Sequence, residues 1–135
     1  MLICLTTLSV CTQKKQNNEN SSKISTTESG ITAGKSTQAP KIIFVELGSV
    51  KCIPCKKMQP IMESIAKKYG EQIKVIFYDV WQEDQKKYAE EYNIRLIPTQ
   101  IFLDSTGKEI FRHEGFFPEQ EIDTMLLYQG LTIQN

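Results

Sequence analysis

Apolar residues are spread unevenly along the chain, and their spacing marks where a folded domain lies. From Lys41 onward they fall into runs with recognisable periods. Ile42-Ile43-Phe44-Val45-Glu46-Leu47 is a short, almost continuous apolar run, which suits a buried strand. After a loop at 48–51, apolar side chains recur at Met58, Ile61, Met62, Ile65 and Tyr69, a spacing that keeps them on one helix face. Pro60 falls inside that helix, where it removes a backbone donor and crowds the preceding turn, so a kink is expected. Gly70 ends the helix. Residues 73–80 read as a second buried strand, and 84–92 as a helix presenting Tyr88, Ala89 and Tyr92. Residues 99–103 and 108–113 read as two strands, joined by Asp104-Ser105-Thr106-Gly107 with the chemistry of a hairpin loop. Pro118, followed by Glu119 and Glu121, opens a last helix that packs through Ile122, Met125 and Leu126.

The resulting order is strand, helix, strand, helix, strand, strand, helix. The first strands need crossovers and so lie parallel, while the hairpin adds an antiparallel pair. An α/β domain over 40–131 is expected, with a central mixed sheet flanked by helices. Residues 12–39 contrast with it: ten Ser/Thr and six Asn/Gln fill most of these 28 positions. Such a segment cannot bury enough surface to offset the entropy of ordering, so it reads as a flexible polar linker spanning about 30 Å. All twelve aromatic residues fall between Phe44 and Tyr128, which again puts the core in the second part of the chain.

Sixteen basic and sixteen acidic side chains cancel, which argues against a strongly basic nucleic-acid footprint, and no nucleic-acid partner is expected. No run of eighteen apolar residues occurs, so no membrane-spanning helix is expected. The first eleven residues, MLICLTTLSVC, are uncharged and mostly apolar, as in the core of a signal peptide. Leu8-Ser9-Val10-Cys11 resembles the bacterial lipoprotein signal, with Cys11 as the lipidated residue. Val10 stands where that signal has a small residue, and no Lys or Arg precedes the apolar run, a pattern consistent with translation starting upstream of Met1. The expectation is an extracytoplasmic, periplasmic or cell-surface domain held to a membrane by lipid alone; the alternative is a frayed terminus with a chance cysteine.

Cys4 would leave with the signal and Cys11 would carry lipid, so Cys52 and Cys55 remain as a Cys-Ile-Pro-Cys pair at the start of the first long helix. Free amides and the helix dipole there favour a thiolate, and Lys51, Lys56 and Lys57 add positive charge. A thiol tuned from ~8.5 toward ~7 attacks disulfides at neutral pH. Two intervening residues let Cys55 resolve a mixed disulfide formed by Cys52, and Pro54 stiffens the turn. Zinc needs four ligands, and this domain offers two cysteines and the distant His113, so no metal is expected. A structural disulfide or a chance pairing remains open on this motif alone.

The neighbouring residues sharpen the picture. Residues 43–60, IFVELGSVKCIPCKKMQP, resemble the first core strand, active-site loop and kinked helix of the thioredoxin family, with Cys52, Cys55, Lys56 and Pro60 at matching spacings. Residues 92–99, YNIRLIPT, resemble the segment around the family's cis-proline, and Gly107 and Gly115 match two of its glycines. Lys51 stands in place of the usual Trp, and Ile53-Pro54 in place of Gly-Pro. SVKCIPCKKMQP, FYDVWQEDQKKYAEEYNIRLIPTQIFLD and FRHEGFFPEQEI are most similar to exported, membrane-tethered bacterial versions. The resemblance covers about 41–128 and implies the thioredoxin fold.

It also implies roles. Pro98 would sit beside the disulfide, offering no backbone donor to the sulfurs, and Ile97 beside it would pair with an extended substrate segment by strand addition. Glu46, at the place of a buried family Asp, would be a desolvated proton acceptor for Cys55; the alternative is an edge-strand Glu facing water. The implied activity is thiol–disulfide exchange on exported proteins by a monomer without cofactor other than the Cys52–Cys55 dithiol. No flavin or nicotinamide motif occurs, so electrons would come from a membrane-embedded thiol transporter. An oxidase or isomerase of the same fold and a non-enzymatic peptide-binding module are the rivals. His113 is expected packed or at the surface, Trp81, Tyr88 and Tyr92 in the core, Phe116-Phe117 under the last helix, and the Lys/Glu run at 83–91 solvated.

Overall fold

The computed structural model describes residues 39–134. Four strands form one sheet: β1 (Ile42–Gly48), β2 (Ile73–Asp79), β3 (Thr99–Asp104) and β4 (Glu109–Glu114), in the order β2-β1-β3-β4. β1 pairs in parallel with β2 and antiparallel with β3, and β3 pairs antiparallel with β4. The single parallel pair is the one that a helix bridges, because parallel neighbours cannot be joined by a tight turn. β1 is therefore central, which explains why its apolar run hardly alternates: both faces are covered.

α1 (Ile53–Tyr69) and α3 (Glu119–Tyr128) cover one face. Met58, Met62, Ile65 and Tyr69 of α1 and Ile122 and Leu126 of α3 pack there on Ile42, Phe44, Ile73 and Phe102. The Phe44 and Phe102 rings stack with centroids 4.5 Å apart. The other face carries Val45, Leu47 and Ile101, covered by Tyr88, Ala89 and Tyr92 from α2 (Lys87–Glu91) and its end. Fold class and element order match the sequence reading.

Local chemistry sets the ends of these elements. α1 runs continuously through Pro60 and stops at Gly70, whose φ of 55° places it in the left-handed region. Lys68 in its last turn pairs with Glu119 (2.7 Å) and Asp123 of α3, and Tyr69 donates its hydroxyl to Asp123 (3.0 Å), which locks the two helices together. Between β3 and β4, Asp104 Oδ1 accepts from the Thr106 and Lys108 amides, and Gly107 supplies a φ of 87°. The sequence-predicted helix over 84–92 is shorter in the structure. Gln85 and Lys86 both donate to the Gln82 carbonyl, and the Gln85 side chain accepts from the Asp79 amide, so turns occupy this stretch until Lys87.

Candidate active site

The chain leaves β1 at Gly48 and enters α1 through a tight loop. Ser49 organises it: its carbonyl accepts from the Cys52 amide (3.1 Å) and its hydroxyl from the Lys51 amide (3.2 Å). Cys52 is the residue capping α1, with extended backbone angles, and its sulfur accepts from the Cys55 amide at 3.4 Å. Pro54 lies in the first helical turn, where a missing N–H costs nothing. Cys52 and Cys55 are joined as a disulfide, with Cα atoms 5.2 Å apart. The two sulfurs differ in access: Cys52 is half-buried, while Cys55 is fully buried. Lys51, Ile53, Pro54, Lys56 and Lys57 are exposed around them.

Gly48 lies under the pair. A Cβ placed on it would meet Cys55 Cβ and Sγ at 3.2 Å and the Phe77 ring at 3.3 Å, so the strand approaches the sulfur as closely as glycine allows. Two residues earlier on the same face of β1 stands Glu46, fully buried, with Phe77 and Gln100 as its register neighbours on β2 and β3. β1 is central and Glu46 is shut from solvent, so the water-facing alternative does not hold. Burial pushes its carboxyl up to about 8, and the Gln100 amide across the sheet pulls the other way. The two side chains face each other without closing a hydrogen bond.

The Ile97–Pro98 peptide is cis. The Pro98 carbonyl accepts from Gly115 (φ 96°, 2.8 Å), and Thr99 Oγ1 donates to the Leu96 carbonyl. Among the described residues no hydrogen bond engages the backbone of Ile97, which leaves its N–H and C=O available. A cleft of about 350 Å³ runs beside it, walled by Trp81, Ile94, Leu96 and Ile97. Trp81 and Leu96 in its wall are exposed apolar side chains, as are Val50 and Ile53 around the cysteine pair.

Trp81 departs from expectation, being 58% exposed where a core position was foreseen. β2 ends at Asp79, whose carboxylate accepts from the Trp81 amide (3.1 Å) and the Val50 amide (3.3 Å). That clamp directs Val80 inward and Trp81 outward, and ties the Trp81 turn to the cysteine loop. Although burial alone would raise the Asp79 carboxyl, these amide donors hold it below its usual range. Phe117 is buried, but Phe116 is exposed. His113 stacks on the Phe117 ring, 4.2 Å between centroids.

Several residues of the site carry no signal in the spacing of apolar positions. Gly48, Asp79 and Gln100 fall within strands or a loop of the apolar pattern and stand out in no other way. An isolated glycine closing a strand just before Cys-x-x-Cys is a mark of close backbone approach that could have singled out Gly48. Gln100, a polar residue opening the otherwise apolar run 100–103, parallels Glu46 in the same way.

Among known proteins, a family model described as a thioredoxin-like domain matches residues 28–130. A putative thioredoxin H10 of Arabidopsis thaliana is 33% identical over 63 residues, 47% of this chain and 39% of that protein. A thioredoxin of Porphyra purpurea is 30% identical over 84 residues, covering 62% of this chain and 76% of the relative. Of solved structures, the germline-specific thioredoxin Deadhead of Drosophila melanogaster superposes with a TM-score of 0.57 at 28% identity, covering 65% of this chain and 80% of that one. The match thus spans only about two fifths of the Arabidopsis relative.

Proposed function

The chain belongs to the thioredoxin-like family and carries a disulfide-forming Cys52–Cys55 pair, and on that premise we propose that it reduces disulfides of exported proteins. The observation that carries this reading is the asymmetry of the pair. The half-buried Cys52 caps a helix, where amide donors favour an ionised sulfur, and the buried Cys55 waits behind it. In the reduced protein, the Cys52 thiolate attacks one sulfur of a substrate disulfide and expels the other as a thiolate. Glu46 then takes the proton of the Cys55 thiol, and the Cys55 sulfur attacks Cys52. The Cys52–Cys55 bond forms, the bond to the substrate breaks, and the substrate leaves reduced by two electrons.

The free backbone at Ile97 and the apolar side chains around it suit an extended client segment laid beside the disulfide. A dithiol partner must restore the pair, and a membrane-embedded thiol transporter is the proposed source. Placement outside the cytoplasm, with Cys11 lipidated, rests on the sequence of residues 1–39; Cys4, Cys11 and the linker up to residue 38 lie outside the described residues. Changing Cys55 to Ser tests the mechanism: covalent complexes with clients through Cys52 are expected, and their absence would contradict it. Direction is tested by the reduction potential. A reductase should lie near ~ −270 mV, whereas a value near ~ −120 mV would make the protein an oxidase.

A further inference from the structure

Among the described residues, five buried side-chain nitrogen and oxygen atoms lack a hydrogen-bond partner, and all five belong to Glu46, Gln59 and Gln100. The three residues stand on elements that converge beneath the disulfide. Glu46 and Gln100 are directly opposed across β1 and β3. Gln59 lies four residues after Cys55 on α1, on the helical stripe of the buried sulfur. Leucine or methionine would fill the position of Gln100 without burying an amide, so packing gives no reason for it. A carboxyl group beside it does.

We propose that Gln100 is a positioning residue for proton transfer, its amide serving as the partner of Glu46 in both protonation states. Oε1 accepts the O–H of the neutral acid, and Nε2 donates to the carboxylate; a primary amide offers both on one side chain. The carboxyl group is thereby kept in place through its cycle, and its anion is stabilised in a site where burial disfavours it. This rests on the reading of Glu46 as proton acceptor. In that step the Cys55 thiol gives its proton to the Glu46 carboxylate, and its electron pair forms the bond to Cys52. The electron pair of the broken bond leaves with the substrate sulfur, and Glu46 later returns the proton to solvent.

Other groups around Glu46 leave this task to the amide. Phe77 is its register neighbour on β2, so no cation faces it there. Asp79, farther along β2, is engaged by the Val50 and Trp81 amides. From α1 comes Cys55 itself, the proton donor. His113 on β4 lies beyond Gln100, with Nε2 3.2 Å from the Phe116 carbonyl.

The test uses Gln100→Leu and, as a second apolar replacement, Gln100→Met. The Glu46 carboxyl is titrated by carbon NMR in the oxidised protein. Resolution is followed by release of thionitrobenzoate from a mixed disulfide on Cys52. The expected result is a Glu46 midpoint raised by about one pH unit, with resolution at pH 7 slowed roughly tenfold and its rise displaced to higher pH. In a Glu46→Gln background, Gln100→Leu should add nothing. An unmoved midpoint in both variants overturns the proposal even if Glu46→Gln slows resolution. A raised midpoint with rates indifferent to Glu46→Gln instead removes the proton-acceptor reading, and the role of Gln100 with it.

Discussion

Phe44 and Glu46 stand two positions apart on β1, and both point to the side covered by α1, yet they sit in opposite surroundings. Phe44 stacks on Phe102 in a cluster of Met58, Met62, Ile65, Ile122 and Leu126, where every surface is apolar. At that end the polar groups that do occur are paired, as in the contacts of Lys68 and Tyr69 with Asp123. Glu46 is as deeply buried, but it and its neighbour Gln100 have polar atoms without partners, and the strand ends on a glycine pressed against Cys55. One end of the sheet obeys the rules of packing, and the other breaks two of them within a few residues of the sulfurs. Such violations concentrate where chemistry requires them.

The contrast can be broken at either end. Truncating Phe44→Ala should have the largest effect, a loss of about 3–5 kcal/mol from a core that cannot collapse onto the cavity. Urea unfolding measures it, and disulfide exchange per folded molecule should change little.

Replacing Glu46→Gln should act in the opposite sense. Because the folded carboxyl titrates at about 8 rather than 4.5, the native state holds a proton that the unfolded chain has released between these values. The wild-type protein therefore keeps this group's full contribution below pH 4.5, loses stability as pH rises through the window, and levels off above about 8. The loss amounts to roughly 3–5 kcal/mol across the window. Glu46→Gln should flatten that decline, making the variant the more stable protein at pH 8 while it resolves mixed disulfides more slowly. Parallel pH-stability curves for the two proteins would refute the assignment.

The smallest effect is expected from Gly48→Ala. Its Cβ would press on Cys55 at 3.2 Å, so a neighbour must shift by a few tenths of an ångström. A cost of about 1–3 kcal/mol should appear in unfolding, together with slower closure of the Cys52–Cys55 bond. Rapid closure with unchanged stability would mean that the contact is slack.

Much of this was legible in the order of residues. Met58, Ile61, Met62, Ile65 and Tyr69 mark α1 because a helix with one buried face must repeat near 3.6, and the strands β1 to β4 follow their apolar runs closely. Cys-Ile-Pro-Cys marks the disulfide and Ile97-Pro98 the cis peptide, since each constrains the backbone locally. What could not be read depends on contacts between distant segments. The register that sets Gln100 against Glu46 joins residues far apart in the chain. Trp81 looked like core because its neighbours Tyr88 and Tyr92 are; only the Asp79 carboxylate, bonding two loops at once, turns it outward. The short α2 has the same kind of cause, the Gln85 side chain holding the strand end in a turn.

Everything proposed for this site depends on Cys52, capping α1, being the attacking sulfur. The direct measurement is the rate of alkylation of Cys52 by iodoacetamide as a function of pH, in reduced protein with Cys55 changed to Ser. A midpoint near ~7 is expected, with fast modification at neutral pH. A midpoint at or above ~8.5, with slow modification throughout, would contradict it.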